Sequence, residues 1–374
     1  MPPDMHAEID IPLTRPDLNR ADLDAMVQSV SAGEITQGRV AERFETAFAD
    51  AIGAVGGVAT QSATSAIVLA LRVLGVGSGD EVILPSYTCL AVLHAVIQSG
   101  ATPVLVDNSC DPAEMDYNLG PAHVAAAIGK RTAAIIVPHM FGVAAEIDAI
   151  RQFKLPVIED ITLSVGAQTR SGRPVGSMGD LAVCSFHASK MLTTGEGGML
   201  LANDPGLLSS ARELNNWVDN QVAHRFGGEV EAYSLRYNFR LSDIHAACGL
   251  SQLSRLAEFI QTRRALAHRY AIELQGLDGV ELPNVALAGR VYFRFMVYVK
   301  NRDIVDILQE FGQFGIEAGR GVYPPLHHFL GLGKTAFPGA EKAACGALSI
   351  PLYPALNDDE IGRILAAAKS VLGA

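Results

Sequence analysis

The stretch LAVCSFHASKMLTTGEGGMLLAND, residues 181–204, places one lysine between two apolar runs. The runs at 181–186 and 197–204 have the length and the apolar character of buried strands. Lys190 follows the first run on a polar turn, and the glycines behind it allow close approach of the backbone. A lysine that the fold holds and partly desolvates has a lowered pKa and becomes a nucleophile towards aldehydes. The stretch therefore predicts a strand–turn–strand unit with a reactive amine on the turn.

Outward from this stretch, short apolar runs alternate with alanine-rich helical segments up to about residue 205. The strand candidates are 57–61, 81–85, 103–107, 132–139, 155–160, 181–186 and 197–204, and the helix candidates are 39–52, 64–74, 89–98, 121–128 and 145–153. This alternation predicts an α/β fold with a mainly parallel mixed sheet flanked by helices. Such sheets bind ligands at the strand-to-helix turns beyond the carboxyl ends of the strands. The glycine cluster at 75–79 follows a helix, so it predicts a helix cap and not a dinucleotide loop.

The pattern changes after about residue 240. A long helical stretch is predicted over 242–274, with Ser242 as its N-cap, and a strand is predicted over 291–300. Helices are also expected near 302–314 and 357–371. We therefore predict a large α/β domain over residues 1–240 and a smaller C-terminal α+β domain over residues 241–374.

The composition predicts a cytoplasmic protein whose ligands are small molecules. Lysine and arginine total 29 against 40 acidic residues, a net charge of −11, which argues against a nucleic-acid partner. The five cysteines show no C-x-x-C spacing, so we expect neither a structural zinc site nor a disulfide framework, and we predict no metal ligands in the chain. No apolar run reaches the length of a membrane span, and the first residues lack the features of a signal peptide.

Two further strand ends carry polar groups. Thr64 and Ser65 follow the strand at 57–61 and begin a helix, whose free N–H groups form a natural phosphate site, although such residues are also ordinary caps. The strand at 155–160 ends in Asp160, and a carboxylate at a buried strand tip needs a partner. A phosphate cradle, this aspartate and Lys190 together match pyridoxal 5′-phosphate (PLP) chemistry. The lysine forms a Schiff base, and the aspartate keeps the pyridine nitrogen protonated.

At these residues the sequence resembles the DegT/DnrJ/EryC1/StrS family, the PLP-dependent sugar aminotransferases of fold type I. The segments SFHASKMLTTGEGG (185–198) and YNFR (237–240) carry the resemblance most specifically. Supporting segments are 11–53, SATSA (62–66), PSYT (85–88), HMFG (139–142), IED (158–160), YPPLHHF (323–329) and LSIPLYPALNDDE (348–360). The resemblance covers nearly the whole chain and implies the large and small domains of a fold type I transferase.

The resemblance implies a role for each cofactor residue. Lys190 holds PLP covalently and shuttles the proton between substrate and cofactor, while Asp160 pairs with the pyridine nitrogen. The phosphate would be held by Thr64, Ser65 and Ser185. The implied reaction moves an amino group from glutamate or glutamine to a keto group of a nucleotide-linked deoxy sugar.

The resemblance also implies partners and a substrate side. Asn238 would reach the phosphate of the neighbouring subunit, which implies a homodimer with shared active sites. Tyr323 and His327 belong to a segment that borders the substrate site in relatives. The residues at 218–234 are predicted to form a substrate lid.

Two positions beside the cofactor depart from the family pattern. Cys89 stands where relatives usually have an aromatic side chain that stacks on the cofactor ring, and Leu163 stands where they usually have glutamine or histidine. Tyr87 is a candidate for the missing aromatic face. His139 is interpreted as a core histidine, and His187 as a structural or supporting residue near the site.

Three alternative functions stay open at this point. A sugar dehydratase or deoxygenation enzyme of the same family typically has histidine in place of the lysine, so Lys190 argues against it. A cysteine desulfurase would carry histidine directly before the lysine, where this chain has Ser189. A PLP-binding regulatory protein without turnover is favoured by Cys89 and Leu163, whereas the intact lysine and Asp160 count against it.

Overall fold

A seven-stranded sheet forms the centre of the computed structural model, which describes residues 9–216, 235–322 and 324–373. Its strands are β1 (Gly56–Thr60), β2 (Glu81–Pro85), β3 (Thr102–Val106), β4 (Thr132–Pro138), β5 (Val157–Asp160), β6 (Leu181–Ser185) and β7 (Gly198–Ala202). The order across the sheet is β1-β7-β6-β5-β4-β2-β3, and among these strands β7 runs opposite to the other six. The predicted α/β fold with a mainly parallel sheet is therefore confirmed.

Helices flank this sheet, so its central strands are buried and consist of apolar residues almost throughout. They are α1 (Arg20–Ser31), α2 (Arg39–Ile52), α3 (Ala63–Val73), α4 (Leu90–Gln98), α5 (Pro121–Ala127), α6 (Ile147–Arg151) and α7 (Pro205–Asn215). On α2, Phe44 and Phe48 are one turn apart and both pack against Phe186, the residue that follows β6. This helical spacing of apolar residues holds α2 beneath the turn that carries the lysine.

The C-terminal part begins with two helices and contains a second, antiparallel sheet. The helices are α8 (Asp243–Ser254), α9 (Leu256–Glu273), α10 (Ile304–Gln313), α11 (Leu326–Phe329), α12 (Pro338–Gly346) and α13 (Asp358–Leu372). The strands are β8 (Val280–Glu281), β9 (Phe295–Val299), β10 (Gly319–Arg320) and β11 (Ala347–Ile350), in the order β10-β11-β9-β8. A separate apolar core lies between this sheet and the helices α9, α10 and α13.

Two predicted elements differ from the structure. The helical stretch expected over 242–274 is broken at Arg255, whose backbone leaves the helical conformation while its guanidinium pairs with Asp17 and Asp22. The strand expected over 291–300 begins only at Phe295, because the residues before it turn away towards the lysine. Within the described ranges, no helix combines the length and the apolarity needed to cross a membrane.

Candidate active site

Lys190 lies on the turn after β6, where its backbone N–H donates to the carbonyl of His187 at 2.9 Å. The side chain is partly buried, and Nζ lies 5.0 Å from the centre of the Phe293 ring. Burial lowers the pKa of Lys190, and the positive charge of Arg294 lowers it further, against the opposing influence of Cys89 and Asp160. The fold therefore shifts this amine towards its neutral, nucleophilic form.

Asp160 is the last residue of β5, the strand that pairs in parallel with β6. Its side chain is buried, and Oδ1 accepts a hydrogen bond from the Thr162 amide at 3.0 Å. Its negative charge raises the pKa of Lys190, as expected for two groups near the carboxyl ends of adjacent strands. The structure thus brings together the two residues that the sequence predicts as catalytic.

The neighbouring Glu159 points to the other face of the strand and has a structural role. Both of its oxygens accept backbone amides from the loop after β5, including Gly176 and Met178 at 2.8 Å. His139 Nδ1 accepts the Ala145 amide, so the ring proton lies on Nε2 and is donated to Glu159 at 2.9 Å. Burial opposes ionisation of Glu159, but these hydrogen bonds outweigh it and lower its pKa. The prediction that His139 is a core histidine is confirmed, because its side chain is fully buried.

Strand β7 assembles the predicted phosphate cradle. In the sheet register, Gly198 lies between Thr60 of β1 and Ser185 of β6. A Cβ atom at Gly198 would lie 2.4 Å from the backbone of Ser62, so only glycine lets β7 approach the first turn of α3. Ser185 and the start of α3 therefore face the same edge of the sheet.

The N-cap of α3 is Ser62, which lies before the predicted helix start at Thr64. Its Oγ accepts the Ser65 amide at 3.1 Å and lies 3.0 Å from the Ser65 hydroxyl. The helix begins at Ala63, so the amides of Ala63 and Thr64 belong to the first turn, where no intrahelical acceptor exists. These amides and the two hydroxyls are donors of the kind that bind phosphate at helix N-termini.

The remaining positions predicted beside the cofactor lie in different surroundings. Cys89 is exposed at the start of α4, and its interaction with Lys190 raises the pKa of the lysine. Leu163 packs against the main core. Tyr87 is fully buried against Tyr117, with ring centres 5.7 Å apart. His187 is exposed, and its Nδ1 lies 3.0 Å from the Ser189 hydroxyl.

The three residues predicted at the partner and substrate sides have different positions. Asn238 is exposed and its side-chain oxygen accepts a hydrogen bond from Arg240 at 2.7 Å. His327 is fully buried, and its ring nitrogens bind Ser86 and Glu341, so its contact with substrate stays a prediction. Tyr323 and the predicted lid at 218–234 lie outside the described residues.

Phe293 and Arg294 belong to the site although the sequence analysis did not single them out. Both side chains lie in the segment before β9, and the guanidinium carbon of Arg294 is 4.9 Å from the Phe293 ring centre. Arg263 of α9 fixes this segment, because its Nη1 donates to the carbonyls of Phe293 and Leu352 at 2.9 and 2.8 Å. The available signal was the arginine inside the apolar run VYFRFMVYV, a charge that an ordinary buried strand does not carry.

The donor set of this site matches the three chemical groups of PLP. A desolvated amine suits the aldehyde, a buried carboxylate suits the pyridine nitrogen, and helix amides with hydroxyls suit the phosphate. All three lie at one edge of the large sheet, which is the ligand-binding edge of open α/β sheets. The residues present therefore fit this cofactor.

Comparison with known proteins gives a consistent result. The family described as the DegT/DnrJ/EryC1/StrS aminotransferase family matches residues 16–369. GDP-perosamine synthase from Caulobacter vibrioides is 35% identical over 97% of this chain and 98% of its own. The aminotransferase TlmJ from Streptoalloteichus hindustanus is 33% identical with a TM-score of 0.87, covering 97% of this chain and 98% of its own. Spr1654 from Streptococcus pneumoniae, solved in its PLP form, is 26% identical with a TM-score of 0.86, covering 96% and 98%.

Proposed function

The chain belongs to the DegT/DnrJ/EryC1/StrS aminotransferase family, and from this premise we propose that it aminates a keto group of a nucleotide-linked deoxy sugar, with glutamate or glutamine as donor. It is a PLP-dependent aminotransferase of fold type I. The observation that carries the proposal is the desolvated amine of Lys190 beside Asp160 at the ends of adjacent strands. The name of the Caulobacter relative, GDP-perosamine synthase, supports a nucleotide-linked substrate.

Some residues of the chain anchor the cofactor, and Lys190 transfers the proton. PLP, when bound, supplies an electron sink for the reacting carbon of the substrate. The first turn of α3 and Ser185 anchor the phosphate, and Asp160 holds a proton on the pyridine nitrogen. Lys190 binds the cofactor covalently, and its Nζ accepts and returns the proton that moves during amino transfer, for which a lowered pKa is required. The Phe293 ring over Nζ limits the access of water to this amine.

The covalent role of Lys190 is tested by borohydride reduction and mass spectrometry of the PLP-loaded protein. We expect wild type to retain one cofactor per chain on the peptide that contains Lys190, whereas Lys190→Ala retains none. Lys130→Ala, at an exposed lysine on a turn, is the matched control and should behave as wild type.

Turnover is tested by the visible absorbance of bound PLP before and after addition of glutamate or glutamine. Conversion of wild type to the amine form, followed by recovery on addition of a keto sugar, is the expected result. Labelling at Lys190 without conversion by any donor would leave a PLP-binding protein without turnover and would contradict the proposed reaction.

We further propose that two chains share each active site, with Asn238 serving the phosphate of its neighbour. The exposure of this side chain and its position on a segment that pairs with the end of β1 support the proposal. Mixing Lys190→Ala chains with Asn238→Ala chains provides the test. If Asn238 acts across the interface, the mixed dimer regains one intact site and part of the activity. If it acts within its own chain, both sites stay defective and no activity returns.

A further inference from the structure

Outside the PLP site, two histidines and a glutamate converge where α11 meets α12. We call His327, His328 and Glu341 the histidine–glutamate cluster. Their ligand atoms all lie within 4.8 Å of one another. Both imidazole Nε2 atoms contact the same carboxylate oxygen, Oε1 of Glu341, the one from His327 at 3.0 Å. Three donors of the types that bind transition metals thus face one point.

The scaffold under the cluster is rigid. The carboxylate of Asp107, after β3, accepts the amides of Gly339 and Ala340 at 2.8 Å each and so fixes the first turn of α12, which carries Glu341. A Cβ atom at Gly339 would lie 1.9 Å from the carbonyl oxygen of Asn108, so the helix is packed directly on this loop. Rigid backbone support of this kind preorganises ligands.

His327 has the second contact that metal-binding histidines generally show. Its Nδ1 lies 2.7 Å from the hydroxyl of Ser86, and its ring stacks on Phe337 with centres 4.3 Å apart. A hydroxyl can donate to Nδ1 or accept from it, so it supports either ring tautomer. The ring can therefore present an unprotonated Nε2 without losing its partner on the other side.

The cluster is also open to solvent on one side. His327 is fully buried, but the side chains of His328 and Glu341 are 29% and 24% exposed. The ammonium of Lys334, which is itself largely exposed, lies 3.5 Å from the second oxygen of Glu341. An ion can therefore reach the three donors from outside, in competition with the ammonium of Lys334.

We propose that the histidine–glutamate cluster binds one zinc-class divalent ion through the Nε2 atoms of His327 and His328 and the carboxylate of Glu341. Zinc accepts such nitrogen and oxygen donors at about 2.0–2.2 Å in tetrahedral geometry, which leaves one position for water. The three ligand atoms lie within 4.8 Å of one another, so small side-chain rotations bring them to this geometry. None of these three ligands is among the residues assigned to the cofactor, while His327 also belongs to the segment predicted to border the substrate.

Calorimetric titration of Zn²⁺ into the tag-free, chelator-treated and PLP-loaded enzyme tests the proposal. We expect one ion per chain in wild type and at least about tenfold weaker binding in His328→Gln. The matched control is His268→Gln, an exposed histidine on α9, which should bind as wild type does. Lys334→Ala should bind the ion more tightly, because it removes the competing charge.

Visible absorbance of Co²⁺, added in place of zinc, adds a readout of the ligand set. A spectrum of histidine-coordinated cobalt that is lost in His328→Gln supports the site. Equal zinc binding by wild type and His328→Gln, or cobalt bands typical of thiolate ligands, would overturn it and place the ion at an exposed cysteine. Circular dichroism and PLP absorbance identical to wild type establish that the His328→Gln protein is folded.

Discussion

The amine of Lys190 lies among charges of both signs, and their balance sets its reactivity. Burial and Arg294 lower its pKa, while Cys89 and Asp160 act in the opposite direction. Arg294 is not among the residues predicted to bind the cofactor. It acts through the lysine, because its charge lowers the pKa of Lys190, and it also packs on the Phe293 ring. Arg294, from the C-terminal part of the chain, therefore lowers the pKa of a lysine that the large sheet carries.

Replacement of Arg294 by methionine should raise the pKa of Lys190, because it removes a nearby positive charge while keeping most of the side-chain volume. The neutral fraction of the amine at neutral pH then falls, and capture of a small uncharged aldehyde by the cofactor-free protein slows several-fold. The measurement is the pH–rate profile of that capture, whose midpoint should move to higher pH. Arg294→Lys keeps the charge and should retain the wild-type midpoint; an unmoved midpoint in Arg294→Met would contradict the assignment.

For single residues, the sequence predicts those that lie at or just after the end of a strand. Lys190 and Asp160 are identifiable because each is a charged group next to a buried apolar run. Phe293, Arg294 and the Ser86–His327 contact are not, because they depend on how segments far apart in the chain pack together. The distance between such residues is a property of the packed fold and not of any local pattern.

Among the elements, β7 determines the geometry of the predicted phosphate cradle. It is the one antiparallel strand of the large sheet, and it separates β1 from β6. Its first residue, Gly198, contacts the backbone at the start of α3 so closely that no side chain fits between them. The close backbone approach predicted for the glycines after Lys190 is therefore present at Gly198, where it is a packing contact.

Gly198→Ala should destabilise the protein by about 1–3 kcal/mol, because the new methyl group forces β7 away from the backbone of Ser62. The first turn of α3 then shifts, and we expect weaker PLP binding as well. Urea unfolding and PLP titration measure the two effects. Gly362→Ala on α13 is the control, since its Cβ meets nothing within 4 Å, and it should be neutral or stabilising by up to about 1 kcal/mol. Equal behaviour of the two variants would contradict the packing argument.

Secondary structure was predictable where one periodicity extends over a whole element. The strand at 81–85 and the helix at 39–52 were predicted with their observed bounds. The break at Arg255 was not, because the ion pairs that accompany it involve two aspartates near the start of the chain. Strands of two residues, such as Gly319–Arg320, contain too few side chains to show any alternation.

In the whole molecule, long-range contacts join the start of the chain to its C-terminal part. The buried carboxylate of Asp243, the first residue of α8, accepts the amides of Gly38 and Ala41 at 2.8 and 2.9 Å and thereby caps α2. Arg15 pairs with Glu360 of α13 at 2.8 Å. The division at residue 240 stays a prediction, and the contact of α8 with α1 and α2 shows how closely the two sides of that division are connected.

The ionisation of Glu45 makes the stability of the folded protein depend on pH. This buried residue of α2 accepts the Ala59 amide at 2.8 Å, and burial raises its pKa to about 7 against the lowering effect of that hydrogen bond. Between the unfolded-state pKa near 4.5 and about 7, the folded protein binds more protons than the unfolded chain. The folded protein is therefore most stable below this window, where Glu45 is protonated in both states. This stability is lost as the pH rises through the window.

Glu45→Gln should remove this loss, because the amide keeps a hydrogen-bond acceptor for Ala59 and carries no charge. Free energies of unfolding from urea titrations, measured from pH 4 to pH 8, should coincide with wild type at the acidic end, below the unfolded-state pKa. At the alkaline end the variant should exceed wild type by up to about 3 kcal/mol, the energy of a pKa shift of this size. Glu42→Gln, one turn earlier and exposed, should follow the wild-type curve closely. If Glu45→Gln shows the same pH dependence as wild type, Glu45 has the same pKa in the folded and unfolded states, and Arg212 and the Ala59 hydrogen bond offset its burial; that result would contradict the prediction.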